Sequence, residues 1–101
     1  LSVEAGDASA KGTGGAVSSA TAMNYAKRTA DSTKGTAIGV TNTCSDLDAL
    51  MVGGLPTDIS WVTDQTLTGC GASGNVDSTR CALKHAKGTA AGFAVSVVCT
   101  E

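Results

Sequence analysis

Four cysteines are the residues of this chain best suited to chemistry, and their spacing indicates which chemistry. Zinc sites usually bring their ligands in close pairs, two to four residues apart, and no two of these cysteines stand that close. An even number of widely spaced cysteines in a short chain is typical of two disulfides and of export to the periplasm, the cell surface or the medium. The alternative is four buried free thiols. The cysteines are Cys44, Cys70, Cys81 and Cys99.

The remaining residue types offer little to a catalytic site. His85 is the single histidine, and its place among alternating apolar residues favours a half-buried structural role. No G-x-S-x-G motif marks an activated serine, and bridged cysteines supply no thiolate. The glycine run that begins at Gly12 lacks the last glycine of a dinucleotide loop, because Val17 stands there. We therefore expect neither an enzyme nor a cofactor.

Two pairs of side-chain oxygens raise the question of a metal site. Asp46 stands close to Asp48, and Asn75 close to Asp77. Calcium needs six to eight oxygen ligands, and neither pair lies in an EF-hand pattern. Asp46 and Asp48 suit the first turn of a helix, where the helix dipole favours acids. We expect no bound metal.

Charge and length describe a small, mildly acidic domain. Seven Lys and Arg against nine Asp and Glu give a net charge of −2, which argues against a strongly basic nucleic-acid surface. No segment approaches the roughly 20 apolar residues of a membrane helix. The chain begins at Leu1 without Met, so we expect that an N-terminal segment was removed. Residues 1–101 are predicted to form one domain.

Residues 1–31 are predicted to form one long helix. Small or apolar residues recur at steps of three or four, the helical period. Three glycines oppose the helix at about 1 kcal/mol each, so it requires packing, and we expect Ala16, Ala20 and Met23 to face the strands. The alternative is a flexible tail before a helix at 16–30. The recurring positions are Leu1, Ala5, Ala8, Gly12, Ala16, Ala20, Met23, Ala26 and Ala30.

Residues 32–57 are predicted to connect the helix to the strands. A loop over 32–43 precedes a short helix, with Ser45 as the N-cap and Asp48 at the third helical position. Two glycines and Pro56 end this helix. Its apolar face comprises Leu47, Leu50 and Met51.

Residues 58–101 alternate between apolar and polar types, which predicts an antiparallel meander of three strands. Gly-rich loops are expected at 69–80 and 88–92, and a core position is favoured for Trp61 over an exposed recognition role. Helices followed by strands indicate an α+β fold. The strand faces comprise Ile59, Trp61 and Thr63; Cys81, Leu83 and His85; and Phe93, Val95, Val97 and Cys99.

Two segments together resemble the globular part of a bacterial type IV pilin of the MSHA-like and small-pilin group. A small-residue helix reading GTGGAVSSATAMNYAKR leads to GVTNTCSDLDALMVGGLP, and Val40 to Pro56 is similar to the family pattern T-N-C-x-D … A-L … G-G-x-L-P. The resemblance covers 1–60 in pattern and the rest in layout. The leader peptide and the apolar helix that begins Phe-Thr-Leu-Ile-Glu are not present, which fits a chain cut within the long helix.

The resemblance implies the pilin fold, a long N-terminal α-helix packed on a 3–4-stranded antiparallel sheet and stabilised by disulfides. It also implies a structural subunit that is anchored in the inner membrane, is handled by the pilus assembly machinery and polymerises into a surface fibre. Such fibres serve adhesion, motility, DNA uptake or secretion. Because polymerisation would need the missing helix, we expect residues 1–101 alone to be monomeric.

Two related alternatives stay open at this point. One is a minor pilin that binds DNA or a host surface, and the other is a type II secretion pseudopilin with a calcium site in its C-terminal loops. The candidate contacts of a binding module are Lys27, Arg28, Arg80, Lys84 and Lys87.

The resemblance also guides the choice among the three pairings that four cysteines allow. Pilin-like chains tie the connecting loop to a middle strand, which implies Cys44–Cys81 and leaves Cys70–Cys99. The rival pairing joins Cys81 to Cys99 and Cys44 to Cys70.

Overall fold

The computed structural model describes residues 1–100, which form an α+β domain. Helix α1 (Val3–Ala30) is followed by a 3₁₀ helix (Cys44–Leu50) and five short strands. The strands are β1 (Ile59–Trp61), β2 (Val76–Asp77), β3 (Ala82–His85), β4 (Phe93–Ala94) and β5 (Val97–Val98).

Helix α1 is continuous through its glycines, so the alternative of a flexible tail is wrong. The Ser2 side chain caps the helix by accepting the Ala5 N–H at 3.1 Å, and Asp31 ends it in an extended conformation. Glu4 in the first turn and basic residues in the last turn complement the helix dipole. The helix packs on β3, β4 and β5, which stabilises a segment that three glycines would leave marginal alone.

The buried face of α1 differs from the predicted one. Ala16 is exposed and Met23 is 65% exposed, so the expected packing of Ala16, Ala20 and Met23 on the strands is wrong. The period was correct, but small residues recur on both sides of the helix. The buried side is more polar: it comprises Gly6, Ala10, Thr13, Gly14, Val17, Thr21 and Asn24.

Polar side chains on the buried face of α1 are satisfied by backbone groups across the interface. The Thr21 hydroxyl accepts the Val98 N–H at 3.0 Å. The Asn24 side chain donates to the Thr36 carbonyl at 2.8 Å and accepts the Thr36 N–H at 2.7 Å. Buried polar groups with partners are tolerated, and their partners favour this rotation of the helix.

The strands form two small antiparallel sheets. One has the order β1-β3-β4, and the other pairs β2 with β5. The predicted meander is confirmed in the first sheet, but the predicted third strand divides between β4 and β5, which belong to different sheets. Burial along it still alternates as expected, with Val95, Val97 and Cys99 at 1% exposure or less.

The predicted loop over 69–80 contains β2, which the sequence analysis missed. Asp77 is buried, and its carboxylate accepts the Gly69 N–H at 2.8 Å and the Thr79 and Arg80 N–H groups at 3.2 Å each. One side chain therefore folds this Gly-rich segment back on itself and allows Val76 to pair with Val98.

The short helix begins two residues earlier than predicted. Thr43 is its N-cap, and the Thr43 N–H donates to the Asp46 carboxylate at 3.0 Å. Ser45, the predicted cap, instead donates through its N–H and hydroxyl to Asp64. Asp48 accepts the Trp61 Nε1–H at 2.8 Å, so it ties the helix to β1.

Two disulfides, Cys44–Cys81 and Cys70–Cys99, connect the second half of the chain. Cys44 begins the 3₁₀ helix and Cys81 directly precedes β3, so the first bridge joins the connecting segment to the central strand. The second joins the segment before β2 to the residue after β5. This is the pairing that the resemblance implied, and the alternative of four free thiols is wrong.

The core lies between α1, the strands and the 3₁₀ helix. Trp61 and Phe93 pack against it while half-buried. Within residues 1–100, no helix combines the length and the apolar character that crossing a bilayer needs. The fully enclosed apolar side chains include Val17, Ile38, Leu47, Leu67, Leu83 and Val97.

Candidate functional site

The single histidine is buried at the end of β3, deeper than the half-buried position expected. His85 is 8% exposed, and its Nδ1 accepts the Lys87 N–H at 3.0 Å. It pairs across the sheet with Ile59. The ring is therefore engaged with the turn that follows its own strand.

The carboxylates considered as calcium ligands bind protein donors. Asp46 accepts the Thr43 N–H and the Asn42 side-chain amide, each at 3.0 Å, while Asp48 accepts from Trp61. The Asp77 carboxylate accepts hydrogen bonds from three backbone N–H groups. Within residues 1–100, no three His, Cys, Asp or Glu side chains are grouped to hold a metal ion.

The five candidate contact cations lie in separate places. Lys27 and Arg28 are in the last turn of α1, where Arg28 donates to the Lys34 carbonyl at 3.1 Å. Lys87 is beside Gly6 near the other end of the helix. A helix rises 1.5 Å per residue, so roughly 30 Å of helix separates these groups. Together they do not form one continuous basic patch.

The other two cations are on or next to the central strand. Arg80 is half-buried, and its Nε donates to the Thr66 carbonyl at 3.2 Å. Lys84 pairs with Ser60 of β1 on the sheet face opposite to Leu83 and His85. This outer face also carries Ala82, so small side chains neighbour Lys84 there.

An open groove of about 510 Å³ lies between the C-terminal half of α1 and the connecting segment. Ala16, Ala20 and Met23, which were predicted to pack on the sheet, line one wall. Leu50 lines the other wall and Lys27 adds a positive charge. The groove is not predicted from the sequence, because the small-residue face that lines it is expected in the core.

Asp7 connects the N-terminal half of α1 to the loop between β3 and β4. Its two carboxylate oxygens accept the Thr89 N–H and hydroxyl, each at 2.7 Å. These hydrogen bonds, the backbone one first, lower the pKa of Asp7 below its usual 3.8, and Lys11 contributes. The carboxylate is thus ionised when it holds the loop.

Two more aspartates are held ionised by neighbouring hydroxyl and amide donors. The Thr33 side chain and N–H lower the pKa of Asp31 in the loop after α1. The Ser45 N–H and hydroxyl lower the pKa of Asp64, which tethers the 3₁₀ helix. Within residues 1–100, Asp7, Asp31 and Asp64 thus each accept hydrogen bonds that organise a loop or a helix end.

The cysteines are paired with each other, and the His85 ring accepts the Lys87 N–H. All four cysteines are in disulfides, so no thiolate is available beside His85. The groove and the outward face of α1 are exposed. Searches of protein-family models, of curated proteins and of solved structures give no match to this chain.

Proposed function

We propose that this domain is the globular part of a type IV pilin and acts as a structural subunit of a surface fibre. The observation that carries the proposal is the outward face of α1. A 28-residue helix buries one side on the strands and leaves a second row of small residues uncovered. Small side chains let neighbouring helices approach closely, which suits a subunit that assembles around its helices. The uncovered row includes Ala8, Gly12, Gly15, Ala16 and Ser19.

The connecting segment adds support. Val40 to Pro56, which resembles the pilin pattern, forms the loop and 3₁₀ helix beside α1, and the Cys44–Cys81 bridge ties it to the central strand. The arrangement of helix, connection and sheet therefore agrees with the order that the resemblance implies. We propose an inner-membrane anchored precursor, assembly by the pilus machinery and an extracellular fibre.

Deletion of the full-length gene in the source bacterium tests the proposal. The deletion strain should lack a surface filament, and an antibody to this domain should label the wild-type filament along its length. Labelling only at tips or sparse points would indicate a minor pilin. Filaments that persist in the deletion strain would contradict the structural role.

Variants of the outward helix face sharpen the test. Ala16→Arg places a charge on the uncovered row without entering the core, since Ala16 is exposed. It should abolish filaments while the isolated domain keeps its melting temperature. Ser60→Arg is the matched control, because Ser60 is exposed on the outer face of β1 and should leave filaments intact. Equal assembly by both variants would reject the helix face as the contact.

The alternatives have separate readouts. Nanomolar DNA affinity at physiological salt, weakened by Lys84→Ala or Arg80→Ala and falling steeply with salt, would favour a DNA-binding minor pilin. A calcium-dependent rise in melting temperature would favour a pseudopilin.

A further inference from the structure

The turn that follows β3 lies between a buried histidine and the N-terminal half of α1. On one side, His85 Nδ1 accepts the Lys87 N–H at 3.0 Å. The His85 carbonyl accepts the Gly88 N–H at 2.9 Å, and the Asp58 carbonyl accepts the Ala86 N–H at 2.9 Å. The ring and the strand ends thus set the conformation of residues 86–89.

On its other side the same turn contacts the helix backbone. A Cβ atom added to Gly6 would lie 3.0 Å from the Gly88 nitrogen, and one added to Gly88 would lie 3.3 Å from the Asp7 nitrogen. Thr89 donates twice to the Asp7 carboxylate. The conformation of the turn therefore controls how closely the N-terminal half of α1 docks.

The hydrogen bond to Nδ1 requires a particular protonation state. A neutral imidazole has one acceptor nitrogen, and here it is Nδ1, so the ring proton is on Nε2. An imidazolium donates from both nitrogens. Protonation would place two N–H donors 3.0 Å apart, and this contact must then open.

We propose that His85 is a pH-sensitive latch: adding a proton to its imidazole releases residues 86–89 and loosens the docking of the N-terminal half of α1. Histidine is the side chain whose charge commonly changes between pH 5 and 8. Asp7, whose pKa is lowered by Thr89, keeps its own contact through that range.

Several charged residues lie on the elements that surround His85 and residues 86–89. Asp7 comes from α1 and holds Thr89 of the turn. Asp58 immediately precedes β1 and contributes its backbone carbonyl, and Lys11 of α1 lies with its ammonium 4.7 Å from the centre of the Phe93 ring of β4. On the strand and turn themselves, Lys84 occupies the opposite sheet face and Lys87 is exposed.

Amide hydrogen exchange and ring titration by NMR test the latch on the whole chain between pH 8 and pH 4.5. After correction for intrinsic exchange, protection of the Lys87 and Gly88 amides should fall roughly tenfold, the loss expected for one buried hydrogen bond. The fall should follow the same midpoint as the His85 ring signals. The Cys99 amide, which donates to the Asn75 carbonyl at 2.8 Å, is the internal control and should not change.

His85→Asn is the matched variant, since an Asn side-chain oxygen accepts the N–H two residues on in an Asx turn and does not titrate here. It should make protection of Lys87 independent of pH. Unchanged protection in the wild type while the ring titrates would overturn the proposal, as would an identical pH dependence in His85→Asn. If the variant does not fold, the comparison of ring and amide midpoints in the wild type decides alone.

Discussion

The two faces of α1 have similar residue sizes and the same helical period, yet one is buried and the other is open. The buried face includes Thr13, Thr21 and Asn24, while the open face is mostly Ala, Gly and Ser with Met23. Hydrophobicity alone distinguishes the two faces poorly, because the buried face is itself rich in Gly and Thr. The polar residues on the buried face determine which side packs.

The reason is that Thr21 and Asn24 have specific backbone partners outside the helix, whereas the Thr13 hydroxyl donates to the Ser9 carbonyl of α1 itself. The Asn24 side chain accepts the N–H of Thr36 and donates to its carbonyl, and the Thr21 hydroxyl accepts the N–H of Val98. Turning the helix would break these part-buried hydrogen bonds, at about 0.5–1.5 kcal/mol each. Small apolar residues, in contrast, lose little when they stay exposed.

The sharpest test of this comparison places the same charge on each face. Val17→Asp should destabilise the domain by about 3–5 kcal/mol, because Val17 is fully buried and the site offers no partner for a carboxylate. Met23→Asp should change stability by less than about 0.5 kcal/mol. Urea unfolding of both variants measures the difference, and a large loss with Met23→Asp would show that the faces are assigned wrongly.

A second prediction removes a polar anchor from the buried face. Asn24→Ala should cost about 2–3 kcal/mol, since both hydrogen bonds to Thr36 are lost. Ser19→Ala, an exposed position in the same helix, is the control and should be neutral in thermal unfolding. Equal stability of the two variants would remove Asn24 as a determinant of helix orientation.

A third prediction uses a glycine on the buried face. In Gly6→Ala the new Cβ would lie 3.0 Å from the Gly88 nitrogen and 3.2 Å from its Cα. Because these are backbone atoms, we expect a net loss of about 1–2 kcal/mol in spite of the better helix propensity of alanine. A gain in melting temperature would mean that the turn has room to move away from α1.

A fourth prediction makes the same change on the open face. Gly12 and Gly15 have nothing within 4 Å of an added Cβ, so Gly12→Ala and Gly15→Ala should each stabilise by about 0.5–1 kcal/mol. Differential scanning calorimetry of the single and double variants checks additivity. Destabilisation by either would indicate a contact on this face that the isolated domain already makes.

The smallest expected effect is an acid-dependent loosening at the helix N-terminal half and the loops. The folded-state pKa of Asp7, Asp31 and Asp64 is lowered below 3.8. Their contribution is therefore present above about pH 4 and is lost as pH falls through the lowered values. The melting temperature should decline from pH 5 to pH 2.5, and Asp7→Asn should make that decline shallower. A parallel decline in the variant would exclude Asp7 from it.

Sequence periodicity was sufficient to predict that α1 exists and that the strands of the first sheet pair in the observed order. It was insufficient for the rotation of α1, because a three-four step of small residues fits either side and only the partners at Thr36 and Val98 distinguish them. It also missed β2, whose two residues depend on the buried Asp77 carboxylate for their position. The groove was not predicted either, because Ala16, Ala20 and Met23 line it and the sequence favours placing them in the core.

The cap of the 3₁₀ helix shows the limit of local motifs. The sequence predicts a cap at Ser45 with Asp48, whereas the structure caps the helix at Thr43 with Asp46. Ser45 and Asp48 instead form hydrogen bonds outside the segment, with Asp64 and Trp61. Such a choice depends on tertiary contacts and is not encoded in the motif.

The interleaved order of the two disulfides has a mechanical consequence. Cys70 lies within the Cys44–Cys81 ring, and Cys81 lies within the Cys70–Cys99 ring. A pulling force applied to Cys44 and Cys99 runs through both bridges and the segment from Cys70 to Cys81. The path that carries the force therefore contains 11 residues (81 − 70) in place of 55 (99 − 44). The bridges add 5.6 and 5.3 Å between Cα atoms. At roughly 3.5 Å per residue, the unfolded length between Cys44 and Cys99 therefore drops from about 190 Å to about 50 Å, so the strand half of the domain stays short under tension even when it unfolds.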